Sequence, residues 1–227
     1  METIRSQRKG GRLGRVVRQA VEIVRQERAF RRAVRLMPKP VPWEWAAPRL
    51  IPLIAGPVID PPDEQGVRVR SELGPMVEIG LDLGVSLTYV DTRVAERWEC
   101  SPTQLMERAL RNLGERAARV SVDRVQTGVV SGRAIRVLQD RPRWASSLLL
   151  TPTELLRLFG EHDQVLAAPT AECLLSLPLD TPTATLADIV VDFERMSSRP
   201  LCLDPFFIAD GELRWAEPLS DDEAVEW

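Results

Sequence analysis

Histidine is nearly missing from this sequence. One, His162, occurs in 227 residues, and cysteine is limited to Cys100, Cys173 and Cys202. A His-dependent triad or dyad would have to use His162. No nucleophile is implied near its Gly-Glu-His-Asp turn, so it reads as an exposed turn residue. One histidine and three scattered cysteines do not make a zinc set. The cysteines are odd in number and form no C-x-x-C pair, so they read as small buried hydrophobes in a reducing, cytoplasmic compartment. Long hydrophobic runs are lacking too. The longest, Leu50 to Ile59, is broken by Pro52, Gly56 and Pro57 and is too short to span a bilayer. The basic N-terminus has no apolar core of the secretory type, because Leu13 to Val24 alternates with Arg, Gln and Glu.

What the chain does have is a sharp charge asymmetry. Residues 1–37 hold eleven basic and three acidic side chains, a net +8, on a chain of net −3; residues 38–227 therefore carry −11. A basic arm on an acidic body predicts that the arm meets an anionic surface, a partner or the body itself. Arginine outnumbers lysine in the arm ten to one, and its planar fork pairs bidentately with carboxylate or phosphate. Composition is otherwise that of a globular protein, 44% hydrophobic and 28% charged. A body of about 180 residues buries about 70% of its unfolded surface, so neither disulfides nor metal are needed to stabilise it.

Periodicity divides the chain into an arm of residues 1–37, a Pro-rich extended connector of 38–74, a body of 75–216 and an acidic tail of 217–227. Leu13, Val16, Val17, Ala20, Val21 and Val24 recur at helical spacing, predicting a helix over about 12–36 whose first half has the cleaner apolar face. Pro38, Pro40 and Pro42 end it. In the body, Val77 to Tyr89 alternates with period two, a strand with Gly84 at a bulge or bend. Ser101-Pro102-Thr103-Gln104 is a capping box opening a helix to about Ala118, and Thr151-Pro152-Thr153-Glu154 repeats the pattern. Ala134 to Leu138 and Ala145 to Leu150 read as strands, and Val165 to Ala168 with Cys173 to Leu179 as a strand pair. A third helix opens at Thr185, and Asp210-Gly211 is a hairpin turn between Phe206–Ile208 and Leu213–Trp215. The expected fold class is α+β, a mixed or antiparallel sheet with about three helices plus the N-terminal basic helix.

Carboxylates are the one plentiful source of chemistry. Asp82 and Asp91 lie on a strand and its end, and Asp91 reads as a cap. Asp188 and Asp192 share a helix face, Asp188 reading as a capping group and Asp192 as solvated. Ser146 and Ser147 lack the Gly-x-Ser-x-Gly elbow and read as strand or turn hydroxyls. Arg8-Lys9-Gly10-Gly11-Arg12-Leu13-Gly14 is glycine-rich and basic but has neither the P-loop spacing nor a preceding strand. No catalytic, metal or cofactor-binding residue is assigned.

Several segments, in order, resemble the YtpQ-like family of bacterial proteins of unknown function. They are Gly84-Val85-Ser86-Leu87-Thr88-Tyr89-Val90-Asp91, Ala109-Leu110-Arg111-Asn112-Leu113, Trp144-Ala145-Ser146-Ser147-Leu148-Leu149-Leu150, Gly160 through Pro169, Pro200-Leu201-Cys202-Leu203 and Asp210-Gly211. The resemblance spans about residues 75–216, implies an α+β body and brings no assigned chemistry. Where the family often has a polar Asn-Arg-Asp or Arg-Asp turn, this chain has Thr170-Ala171-Glu172. The basic arm lies outside the resemblance.

The residues favour binding over catalysis: a binding or assembly module that docks a partner protein, or a second copy, through its basic helix. The contact set expected is Arg8, Lys9, Arg12, Arg15, Val17, Arg18, Val21, Arg25, Arg28 and Arg32. The alternatives are an enzyme using body carboxylates and a nucleic-acid binder using the arm, with an anionic membrane surface as a further partner. Small apolar side chains on the arm disfavour bilayer insertion, and Phe30 is its one aromatic for stacking on bases.

Overall fold

The structure, a computed structural model, describes residues 27–56, 66–71, 74–84, 86–139, 144–195, 200–201 and 203–215. Most of the arm and the whole acidic tail lie outside the described residues. The class is α+β, with two antiparallel sheets.

Residues 27–36 are helical (α1), and the chain leaves the helix at Met37, just before Pro38. Trp43–Ala46 (α2) runs into a 3₁₀ turn, Ala47–Arg49. The first sheet is built on β3 (Met76–Asp82). β1 (Leu50–Ile54) covers one edge of β3, while β2 (Arg68–Arg70) and β4 (Leu87–Tyr89) share the other edge end to end. The segment read as a connector thus supplies two strands. The run Leu50-Ile51-Pro52-Leu53-Ile54 is buried throughout, which is where so apolar a stretch must go. The single strand expected over Val77 to Tyr89 folds back instead as β3 and β4, with Gly84 at φ +79° in the turn. Leu83 N–H donates to Ser86 O across it at 2.9 Å.

Asp91 caps α3 (Thr92–Arg97), its carboxylate accepting from Arg93 N–H at 2.7 Å. The first capping box forms in full and opens α4 (Pro102–Ala117): Gln104 N–H donates to Ser101 Oγ at 3.2 Å, and Ser101 N–H to Gln104 Oε1 at 2.8 Å. The second does not form at α5 (Pro152–Phe159). Thr151 donates its hydroxyl back to Leu148 O at 3.1 Å and makes no cap. Leu148 belongs to a buried 3₁₀ turn, Ser146–Leu150, in place of the expected strand. An apolar run this short fits either geometry.

The second sheet has the order β10-β9-β7-β8-β6-β5. Its strands are β5 (Gln126–Val130), β6 (Arg133–Gln139), β7 (Gln164–Thr170), β8 (Cys173–Pro178), β9 (Phe206–Ala209) and β10 (Glu212–Trp215). Two of its hairpins turn on left-handed pairs, Ser131-Gly132 at φ 51° and 76° and Asp210-Gly211 at φ 54° and 75°. That geometry matches strand twist and suits Gly at the second position. β7 is buried at every residue because both faces of the sheet are covered. Leu138, Leu166, Leu174 and Phe206 pack with α5 and β1, while Val165, Leu175 and Leu177 pack under Leu186 and Ile189 of α6 (Thr183–Glu194). α6 begins two residues before Thr185, and Asp188 lies exposed within it rather than capping it.

Candidate partner-binding groove

One buried polar side chain, with two half-buried arginines beside it, fixes where the surface sites fall. Asn112 of α4 is buried, and its amide donates to Ala47 O at 2.7 Å and Leu50 O at 2.9 Å. Arg108 Nε adds a bond to Ala47 O at 3.3 Å, and Arg116 reaches Pro48 O at 3.3 Å while pairing with Asp82. These bonds satisfy carbonyls of a short turn that has no ladder of its own. They also pin α2 and its 3₁₀ turn to the helix beneath. Asn112→Ala strands Leu50 O, since Arg108 still serves Ala47. The expected loss is about 1–3 kcal/mol in unfolding free energy, read by urea denaturation.

On that platform Arg49 lies over the Trp45 ring, its Cζ 4.3 Å from the centroid, and Nη1 donates to Trp45 O at 2.7 Å. Cation–π contact and the carbonyl together hold the guanidinium in place. Across from it runs α1. Ala29, Phe30, Ala33 and Val34 are half-buried, Arg28, Arg31, Arg32 and Arg35 are exposed, and Leu36 is 75% exposed.

Between the two walls is an open groove of about 740 Å³. Arg28, Ala29, Arg32, Ala33 and Leu36 line it from α1, and Trp45, Arg49 and Leu83 from the body. Three guanidinium groups surround apolar ground, and no carboxylate is among the described residues that line it. Arg31 pairs with Glu27 of its own helix at 2.6 Å. Among the described residues, Arg28 and Arg32 have no carboxylate partner. Among the described residues, the body therefore meets α1 across this groove with a further arginine, Arg49, and not with a carboxylate.

A second groove, of about 550 Å³, flanks α2 on its other side. Trp43 and Trp98 form its aromatic wall with centroids 5.7 Å apart, and Trp98 Nε1 donates to Val41 O at 2.8 Å. Arg97, Glu44 and Glu99 mix both signs of charge there.

Of the ten contact residues expected from the sequence, Arg28 and Arg32 fall in the basic groove. Arg8, Lys9, Arg12, Arg15, Val17, Arg18, Val21 and Arg25 lie outside the described residues. Sequence reasoning missed Trp45, Arg49, Leu36 and Leu83. The Trp45-to-Arg49 spacing of four was the available signal, weak without knowing that a helical turn sits there.

The remaining candidates are dispersed over the fold. His162 is exposed, packed against Gly160. Ser146 donates to Ala171 O at 3.3 Å, and Ser147 is buried. Asp82 accepts from Gly84 N–H at 2.7 Å and holds Arg116. Asp192 is exposed, 3.8 Å from Arg195. Among the described residues, no three of His, Cys, Asp and Glu come together as a metal set. No described helix is long and apolar enough to cross a membrane.

Cys100 and Cys173 are free thiols, and Cys202 lies outside the described residues. Burial pushes the Cys173 thiol up to about 12, outweighing the hydrogen bond from Gln139, which lowers it. Between the ordinary value of 9.0 and about 12 the folded state keeps a proton that the unfolded chain has lost. The unfolded state then binds fewer protons, so stability falls as pH rises through that window. In a Cys202→Ser background, a thiol reagent at neutral pH is expected to label half-buried Cys100 and spare Cys173 until the protein unfolds.

Compared with protein-family models, curated proteins and solved structures, the chain matches none.

Proposed function

We propose that this chain is a non-catalytic binding module that takes an acidic, amphipathic segment of a partner protein into the groove between α1 and the Trp45–Arg49 turn. The observation that carries the reading is the pairing of three arginines with apolar ground in one wall-to-wall groove whose described residues include no carboxylate. Carboxylates of the incoming segment meet Arg28, Arg32 and Arg49. Its apolar side chains meet Ala29, Ala33, Leu36 and Leu83. Exposed ion pairs contribute under about 1 kcal/mol each, so charge alone does not hold a partner and the apolar contacts are required. The sequence before residue 27 adds seven further basic residues. The resemblance to the YtpQ-like family belongs to this reading and adds no active site to it.

A nucleic-acid ligand is less well served. Arg49 already lies over one face of the Trp45 ring, which leaves less of it for the base stacking that single strands use, and exposed Leu36 has nothing to contact on a phosphate backbone.

Calorimetric titration of the full chain with a short synthetic peptide of glutamates and helically spaced leucines tests the proposal. A lysine-for-glutamate peptide and a DNA duplex serve as controls. Micromolar binding of the acidic peptide is expected, weakened about tenfold by Arg32→Glu and comparably by Leu36→Asp. Tight duplex binding that falls steeply with salt and ignores Leu36→Asp would replace the reading with the nucleic-acid one.

A further inference from the structure

Among the described residues, the second sheet ends in a strand whose outer edge is unpaired. β5 is the terminal strand of the order β10-β9-β7-β8-β6-β5, and among the described residues no strand pairs with its outer edge. All five residues, Gln126-Thr127-Gly128-Val129-Val130, are exposed, with Val129 at 73%. The strand pairs with β6 in unbroken register, without a bulge. It contains neither a charge nor a proline, the devices by which sheet edges are usually guarded. The opposite edge strand, β10, carries charge: Glu212 and Arg214 pair along it at 2.9 Å.

The hydrogen-bonding pattern of that edge follows from its turn. Val130 and Arg133 close the two-residue Ser131-Gly132 hairpin, so they exchange both backbone bonds. Alternation then assigns Gly128 and Gln126 to inward pairs with Ile135 and Val137. Thr127 and Val129 turn their N–H and C=O groups outward. These two outward residues flank Gly128 symmetrically.

Gly128 itself is not explained by the folded chain. Its φ is not in the left-handed region, and a Cβ added there would meet only Ile135 Cγ2, at an ordinary 3.6 Å. Glycine weakens a strand, and where the fold does not need it, it marks the close approach of another backbone.

We propose that β5 is a self-pairing edge, through which two copies of this chain join antiparallel with Gly128 on the two-fold axis. Thr127 of one copy then faces Val129 of the other, twice, and each pairing exchanges two backbone bonds. Gly128 faces its own copy in the position where strands approach closest. The strand is uncharged, so no like charges are opposed. A second copy is the partner whose outward groups match this spacing by symmetry. The inference is independent of the basic groove.

Sedimentation of the full chain over a concentration series tests it. A monomer–dimer equilibrium is expected. Val129→Pro removes an outward N–H without touching the β6 ladder, and Gly128→Asp places two carboxylates across the axis. Each is expected to weaken self-association at least about tenfold while leaving the thermal melt near that of the parent. Hydrogen exchange on the unmodified chain gives a second readout: the Thr127 and Val129 amides should gain protection with concentration, and those of Gly128 and Gln126 should not. A chain that stays monomeric throughout, dimers indifferent to both substitutions, or Thr127 and Val129 amides indifferent to concentration would each overturn the proposal.

Discussion

Replacing Gln164 by leucine is expected to lower the unfolding free energy by about 2–4 kcal/mol, since each stranded buried polar group costs about 1–3 kcal/mol. Gln164 is fully buried at the start of β7. Its amide donates to Gly160 O at 2.8 Å, His162 O at 3.1 Å and Phe159 O at 3.3 Å, and its Oε1 accepts from Ser176 Oγ. One side chain therefore closes the end of α5, shapes the turn carrying the only histidine and satisfies a buried hydroxyl on β8. Arg136 donates to Leu158 O and Phe159 O from the other side, so Phe159 O keeps a partner in the variant. The buried Ser176 hydroxyl does not, and the part-buried Gly160 O and His162 O lose the bond they have here. Gln164→Glu separates shape from chemistry: it keeps the size, removes the donors and adds a buried charge, and is expected to be worse than leucine. Chemical denaturation of both variants checks the order. A loss below about 0.5 kcal/mol for leucine would mean that water serves these groups instead.

The second large effect concerns the groove. Reversing Arg28, Arg32 and Arg49 together to glutamate is expected to abolish binding of the acidic peptide, a loss of at least about a hundredfold. Six units of charge change on facing walls. Arg49→Glu alone should act differently from Arg32→Glu. Arg49 is held over Trp45 and on Trp45 O, so its loss also frees the ring, whereas exposed Arg32 contributes charge only. Titration at two salt concentrations distinguishes them: the Arg32 effect fades with salt, and part of the Arg49 effect persists.

How much of this was legible in the chain varies with the kind of signal. The first capping box is a local code, and Ser101 and Gln104 make both of its bonds. Thr151-Pro152-Thr153-Glu154 carries the same letters, yet Leu148 O claims the hydroxyl first. That carbonyl is offered by a 3₁₀ turn which periodicity cannot distinguish from a strand. β5 was invisible because Gln-Thr-Gly-Val-Val neither alternates nor concentrates apolar residues. The hairpin turn of Asp210-Gly211 was readable, while Ser131-Gly132 does the same work with a weaker signature. For the groove, charge patterning pointed to Arg28 and Arg32. Arg49 and Trp45, one turn apart, and Leu83 join them only through the tertiary fold, and the Ala47 and Leu50 carbonyls on either side of Arg49 are held by Asn112 from a helix more than sixty residues away.

Site-specific photo-crosslinking asks most directly whether an acidic segment enters between α1 and the Trp45–Arg49 turn. With a benzophenone side chain at Ala33, on the groove wall, irradiation in the presence of the acidic peptide should give a crosslinked adduct that Arg32→Glu suppresses. The same probe at Val129, on the far sheet edge, should give none. Equal adducts at both positions, or none at Ala33 under conditions where the peptide binds, would contradict the account.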